Sequence, residues 1–188
     1  MCLLLQHVRA AARANRLANE RLHRAIEGLA AEAFHAPRVG YFPSLAKTLN
    51  HILAVDRYYL DSLKGMGIAA RSRCDAFVPA DDLASLRCRQ RELDDELIAF
   101  CDHLDEAGLV KLVDMVGADR VDRDEAHRVL AHLAMHQTHH RGQVHAMLSS
   151  TEAKPPQLDE FLLASDARCR VGDLEAAGWI ERVLLALP

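Results

Sequence analysis

Apolar residues recur at helical spacing from Leu3 to Phe34, at Leu5, Val8, Ala12, Leu22, Ile26 and Leu29. With no proline in the stretch, this periodicity predicts a first long helix, which Gly28 weakens locally. The segment HAPRVGYFPS breaks it, and Pro43 with Ser44 offers the start of a second helix. That helix carries the stripe Leu45, Leu49, Ile52, Tyr59 and Leu63 to about Lys64 and stops at Gly65 to Gly67, where glycine permits a left-handed close. Residues Ile68 to Ala80 have the look of a loop. Asp81 and Asp82 cap a third helix whose inward face is Leu83, Leu86, Leu93, Leu97 and Phe100. Between Leu104 and Val121 the pattern shortens to a loose alternation closed by Gly117, which suits a small extended excursion. Asp122 with Glu125 resembles a capping box opening a fourth helix that runs to about Ser150. A connector, TEAKPPQLD, precedes a short helix from about Leu158 to Ala164 and a last amphipathic helix from about Asp173 to Leu187. Four long helices with moderate connections predict an all-α chain, one four-helix-bundle domain over 1–188, in which ligand sites are built from facing helices.

Composition narrows the setting. Hydrophobic residues make up 50% of the chain and charged ones 27%, a globular balance. The net charge is −4 with both signs interspersed, so no basic patch marks a nucleic-acid partner. The start MCLLLQHVRAAARAN has neither a basic stretch nor a small-residue cleavage pattern. No apolar run approaches the roughly 20 residues that cross a bilayer, so neither membrane insertion nor secretion is expected and the cytoplasm is. Cys2, Cys74, Cys88, Cys101 and Cys169 are odd in number and lack any CxxC pairing, which indicates reduced thiols and no zinc ribbon.

Histidine changes the picture. The fourth helix contains HLAMHQTHHRGQVH, with His132, His136, His139, His140 and His145. Residues four apart share a helix face, so His132 with His136, or His136 with His140, could present two imidazoles to one ion. His132 and His140 cannot share it, because eight residues separate them by about 12 Å along the axis. Val129, Leu133, His136, His140, Val144 and Met147 trace one otherwise apolar stripe, so His136 and His140 point inward. Buried imidazoles need a partner, either a metal ion or hydrogen-bonding groups on other helices. Gln137 stands where a zinc protease motif places glutamate, which excludes that chemistry. His51, at the border of the second helix's apolar stripe, is available as a third ligand. Asp56, near the centre of that stripe, is a carboxylate that should not be buried alone. It is expected to accept from a ligand imidazole or to pair with an arginine.

SLAKTLNHILAVDRYYLDSLKG, followed by HLAMHQTHHRGQVHAMLSS and PPQLDEFLL, resembles the DinB, or DinB/YfiT-like, superfamily over about residues 3 to 165. The family pattern of asparagine and histidine in helix two and HxxxHRGQ in helix four is matched by Asn50, His51, His136, His140, Arg141, Gly142 and Gln143. The resemblance implies an up-down-down-up four-helix bundle, frequently dimeric, with a nickel or zinc ion held by His51, His136 and His140. His132 and His139 then take supporting or structural places. Helix one departs from the family: ANRLAN puts Ala14 and Leu17 where relatives often carry aromatics and keeps Asn15 and Asn19, so the lining of the cavity differs.

Three histidines on a divalent ion leave a coordination position open, as in catalytic zinc sites. Such an ion deprotonates a coordinated thiol or lowers the pKa of water to near 7. The expectation is a metal-dependent enzyme, a thiol transferase or hydrolase, that turns a low-molecular-weight thiol or water on an electrophilic small molecule in detoxification or stress response. The alternative is a non-catalytic metal-binding stress or interaction protein. Arg141 and Gln143 either orient substrate or close the helix end, or are ordinary surface or packing residues.

Overall fold

The computed structural model of the protein describes residues 2–187. Four long helices carry the core: α1 (Leu3–Glu27), α3 (Leu45–Leu63), α5 (Leu83–His103) and α7 (Ala126–Leu148). Between them lie the short helices α2 (Ala31–His35), α4 (Ile68–Asp75) and α6 (Glu106–Leu109). A hairpin, β1 (Leu112–Val116) and β2 (Val121–Glu125), precedes α7. A 3-10 turn over Ala164–Cys169 and two short helices, α8 (Val171–Ala177) and α9 (Glu181–Leu184), follow it.

Local chemistry sets the helix ends. Ser44 accepts the Lys47 amide and Asp82 the Ser85 amide, capping α3 and α5 where the sequence places start signals. Gly65 takes a φ of 80° just after α3, a conformation that glycine adopts without strain. The expected excursion before α7 is the antiparallel hairpin, with Leu112 opposite Glu125 and Val116 opposite Val121. It buries Val113 and Val116. Tyr58 Oη donates to the Val116 carbonyl at 3.0 Å, fastening the hairpin to α3.

Five boundaries differ from expectation. The first helix ends at Glu27, because the chain turns at Gly28 before α2. The expected loop at 68–80 holds α4, which buries only Ala70 and so shows no apolar stripe. Asp122 and Glu125 lie in β2, where Asp122 pairs with Arg120, and α7 starts at Ala126. No helix forms from Leu158 to Leu163. Instead the fully buried Arg170 takes the Glu160 and Leu163 carbonyls at 3.0 and 2.9 Å and grips Glu181 with Nε and Nη2, both at 2.9 Å. The last helix is two, broken at Gly178 with φ 68°.

Residue pairs across the core give the helix directions. Arg9 reaches Cys101 and Arg16 reaches Asp95, so α1 and α5 are antiparallel. Thr48 meets Met147 and His51 meets His140, so α3 and α7 are antiparallel as well. Two apolar clusters fill the space between the helices. One gathers Leu5, Val8, Leu53, Leu60, Leu97 and Leu133, and the other Leu22, Ile26, Leu45, Leu49, Leu86 and Val144. Between them every long helix contributes buried polar residues: Asn15 and Asn19, Asp56, Gln90 and Asp94, Gln137 and Arg141. This polar layer lies at the level of the histidines of α7. Leu17 and Ala18 of α1 also pack against Phe161, Leu174 and Leu184, which seats the C-terminal segment on the outside of α1.

Candidate metal centre

His51 faces α7 from the second turn of α3, and His136 and His140 stand one turn apart on the facing side of α7. His51 Nε2 lies 3.1 Å from His136 Nε2 and 3.2 Å from His140 Nε2. One ligand atom from each of the three falls within 4.8 Å of the others, which makes the triad a group that could hold a metal ion. A tetrahedral ion with nitrogens about 2.1 Å away holds them about 3.4 Å apart, close to the spacing seen. Burial pushes the pKa of His51 and of His136 down to about 4, and that of His140 also downward, with neighbouring imidazoles adding to the effect. The rings are therefore neutral near pH 7 and offer lone pairs.

Hydrogen bonding sets which nitrogen is free. His140 Nδ1 meets Gln143 Oε1 at 2.9 Å, so Nδ1 donates and the Nε2 lone pair faces the centre. Gln143 Nε2 in turn donates to His139 Nε2 at 3.1 Å. His51 carries at most one Nε2 hydrogen for two neighbours, and a single hydrogen cannot satisfy both contacts. Among the described residues His136 Nδ1 is buried without a partner. A cation would resolve the crowding of the three Nε2 atoms, so the donor set fits a divalent ion of the kind that imidazole ligates.

Two aromatic side chains wall the triad. Phe42, from the loop before α3, stacks on His51 with centroids 4.2 Å apart and rings 27° from parallel. Tyr59 tilts against His136 at 6.4 Å and His132 at 5.4 Å. His132 is exposed and supports Tyr59, while exposed His139 supports Gln143. Asn50 neither faces the triad nor lies at the surface. It exchanges two bonds with the Ala80 backbone, at 3.0 and 2.7 Å, and anchors the approach to α5.

The remaining expected residues occupy the polar layer. Asp56 accepts from neither an imidazole nor an arginine, contrary to expectation. Its Oδ2 takes the amides of Gln90 and Gln137 at 2.9 and 3.0 Å, because those two residues reach the core centre from α5 and α7 and the histidines point away from it. Gln90 also donates to Asp94, which collects Asn15 and both contacts of Asn19. Arg141 does not close the helix end. It is buried mid-helix and donates to the side-chain oxygens of Asn15 and Asn19, tying α7 to α1. Burial pushes the pKa of Asp56 up to about 6 and that of Asp94 up to about 7, the latter raised further by the Asp56 charge.

The DinB family model matches residues 4–171. The chain belongs to the DinB family. Among solved structures, the crystal structure of a DinB-like protein, YjoA, from Bacillus subtilis is similar to it with a TM-score of 0.56 at 14% identity. The likeness covers 79% of this chain and 96% of that one, and at this identity it speaks for the fold alone. No curated protein matches the chain. Most of α8 and all of α9 lie beyond the DinB match.

Sequence reasoning missed Phe42, Gln90 and Asp94 in this DinB protein. Phe42 reaches His51 only through the path of its loop, and Asp94 sits in the run Asp94, Asp95, Glu96, which has the look of a solvated face. Asn15 and Asn19 were visible as residues shared with relatives, although nothing in the sequence showed what they bind.

Gln143→Ala is expected to lower the affinity of the triad for a divalent ion about 10–100-fold, because the bond that orients His140 is lost. Competition with a chromophoric chelator measures it, and unchanged affinity would mean that Gln143 does not orient the ring. A second prediction concerns pH. Asp56 and Asp94 keep their protons in the folded chain to about pH 6 and 7, whereas an unfolded aspartate releases its proton near pH 4. The folded state thus binds more protons across that window, and this contribution to stability falls as pH rises through it. The buried histidines act in the opposite direction but are common to wild type and variant. The unfolding free energy of Asp94→Asn minus that of wild type should therefore rise from about pH 4 to 7 and level off above. Denaturant unfolding with chelator present checks this, and a pH-independent difference contradicts it.

Proposed function

We propose that His51, His136 and His140 hold one divalent ion, nickel or zinc, and that the protein is an enzyme directing a small thiol or water at an electrophilic small molecule, in detoxification or stress response. The convergence of three neutral imidazole nitrogens without a carboxylate among them carries this reading. Such a donor set leaves the whole charge of the ion uncompensated, which favours an anionic fourth partner such as a thiolate. A divalent ion bound there supplies the Lewis acidity that lowers the pKa of a thiol or a water.

The protein's own residues supply the rest. Burial keeps the imidazoles unprotonated, so their lone pairs remain available near neutral pH. Gln143 holds His140 in the tautomer that aims Nε2 at the centre. Phe42 and Tyr59 press on the rings from two sides and keep water from solvating them freely. Asn50 fixes α3 against the approach to α5 and so steadies the helix that carries His51. The dispersed charge supports a small-molecule substrate over nucleic acid. No described helix is long and apolar enough to cross a membrane. A homodimer, which rests on the family resemblance, and a place in the cytoplasm complete the proposal.

Nickel- and zinc-loaded protein, assayed with epoxides, activated alkenes and aryl halides in the presence of common cellular thiols, and with ester and amide panels in their absence, tests the proposal. Turnover that requires the metal and is lost in His51→Ala is expected. Stoichiometric metal without turnover in either panel would overturn the enzymatic reading and leave a non-catalytic metal-binding protein.

A further inference from the structure

Away from the triad, α1 and α7 do not close on each other. Ala11, Ala14 and Ala18 face Ala131 and Ala134, and these small side chains leave a cleft with two cavities of about 230 and 270 Å³. Both have His7, Ala11, Ala134 and Gln137 in their walls, so they form one space with a waist. Each alone is smaller than a typical ligand pocket of about 300–1,000 Å³, and joined they enter that range. One end is an apolar chamber that reaches across to α5, walled by Val8, Leu97, Cys101, Leu130 and Leu133. The other end stops at Arg141, with Phe161, Leu162 and the exposed Asp159 closing its side.

Arg141 is the unusual feature. Its residue surface is only 8% exposed. Nη1 is used by Asn15 and Asn19, while among the described residues Nε and Nη2 meet no acceptor and no carboxylate comes within ion-pair distance. Desolvating a guanidinium costs several kcal/mol, and such groups are normally paired. Asp94 lies one amide away through Asn15 and Asn19, which offsets part of the charge but leaves the Nε and Nη2 donors unused. That edge is the one that grips a carboxylate with two parallel bonds.

We propose that the α1/α7 cleft binds an amphipathic monocarboxylate, its carboxylate on the Nε–Nη2 edge of Arg141 and its apolar tail in the chamber beneath Leu130 and Leu133. A monocarboxylate adds the least negative charge to a guanidinium whose surroundings already hold Asp56 and Asp94 and, in the cavity wall, Asp159. A phosphate dianion would bring excess charge beside Asp56 and Asp94. From Arg141 to Leu130 the cleft runs eleven residues of α7, about 16 Å, room for a chain and not merely a headgroup. His136 and His140 lie on the α3 side of the same helix, so this site is separate from the triad.

Calorimetric titration of the full chain with octanoate, 1-octanol and acetate tests the proposal. Saturable one-to-one binding of octanoate is expected, at least tenfold tighter than either control. It should persist in His136→Ala, which disables the triad, and be lost in Ala134→Leu, which fills the waist while leaving the metal content unchanged. Arg141→Gln should weaken octanoate at least tenfold and leave 1-octanol unaffected. Because Arg141 also ties α7 to α1, a failure of that variant to fold leaves the decision to Ala134→Leu and the acid–alcohol comparison. Equal affinity for acid and alcohol, binding that survives Ala134→Leu, or no saturable binding would overturn the proposal. Binding lost in His136→Ala would place the carboxylate at the triad instead and overturn it too.

Discussion

Imidazole nitrogens from α3 and α7 meet at a spacing that hydrogen bonds alone do not satisfy. His51 Nε2 stands 3.1 and 3.2 Å from two other ring nitrogens, and Gln143 commits the Nδ1 hydrogen of His140 elsewhere. Burial holds the pKa of His51 and His136 at about 4, so protonation does not relieve the crowding near neutral pH. A shared cation would relieve it, and would add a link between α3 and α7 beside their apolar packing and the Gln137–Asp56 bond. The position of Phe42 on His51, the orientation of Gln143 and the support from Tyr59 all follow from three rings kept in that arrangement.

The arrangement is held in place by the polar layer between the two apolar clusters. Asp56 and Asp94 gather amides from α1, α5 and α7, and Arg141 takes the oxygens of the same two asparagines that donate to Asp94. Sliding any of the four long helices by one turn would bury these groups against leucines, at a cost of about 1–3 kcal/mol for each bond left unmade. The layer therefore opposes changes of register, and register decides whether His51 meets His136 and His140. His136 and Gln137 are adjacent on α7, one facing the triad and the other bonded to Asp56, so the ion site and the layer share a helix segment.

The long helices were legible because an apolar stripe repeated over five or more turns has only one periodic explanation. Short elements were not. α4 buries Ala70 alone, and β2, VDRDE, has a single apolar residue and no alternation, while the spacing of its Asp122 and Glu125 imitates a helix start. Leu158 to Ala164 is apolar enough to suggest a helix, yet Arg170, several residues later, claims carbonyls there and holds the segment irregular. At the site, the spacing of His136 and His140 on one face was readable from helix geometry, His51 was a candidate from its place at the border of the apolar stripe of α3, and the family resemblance joined the three into one set. The partners of Asp56 were not readable. They depend on how deeply Gln90 and Gln137 reach from two other helices, a tertiary fact without a local signature.

Elemental analysis of untagged protein tests the central claim most directly. The account predicts about one nickel or zinc per chain in wild type, content below a tenth of that in His51→Ala, His136→Ala and His140→Ala, and full content in His132→Ala and His139→Ala. A folded wild type that takes up no divalent metal, or equal metal content across all five variants, would contradict it.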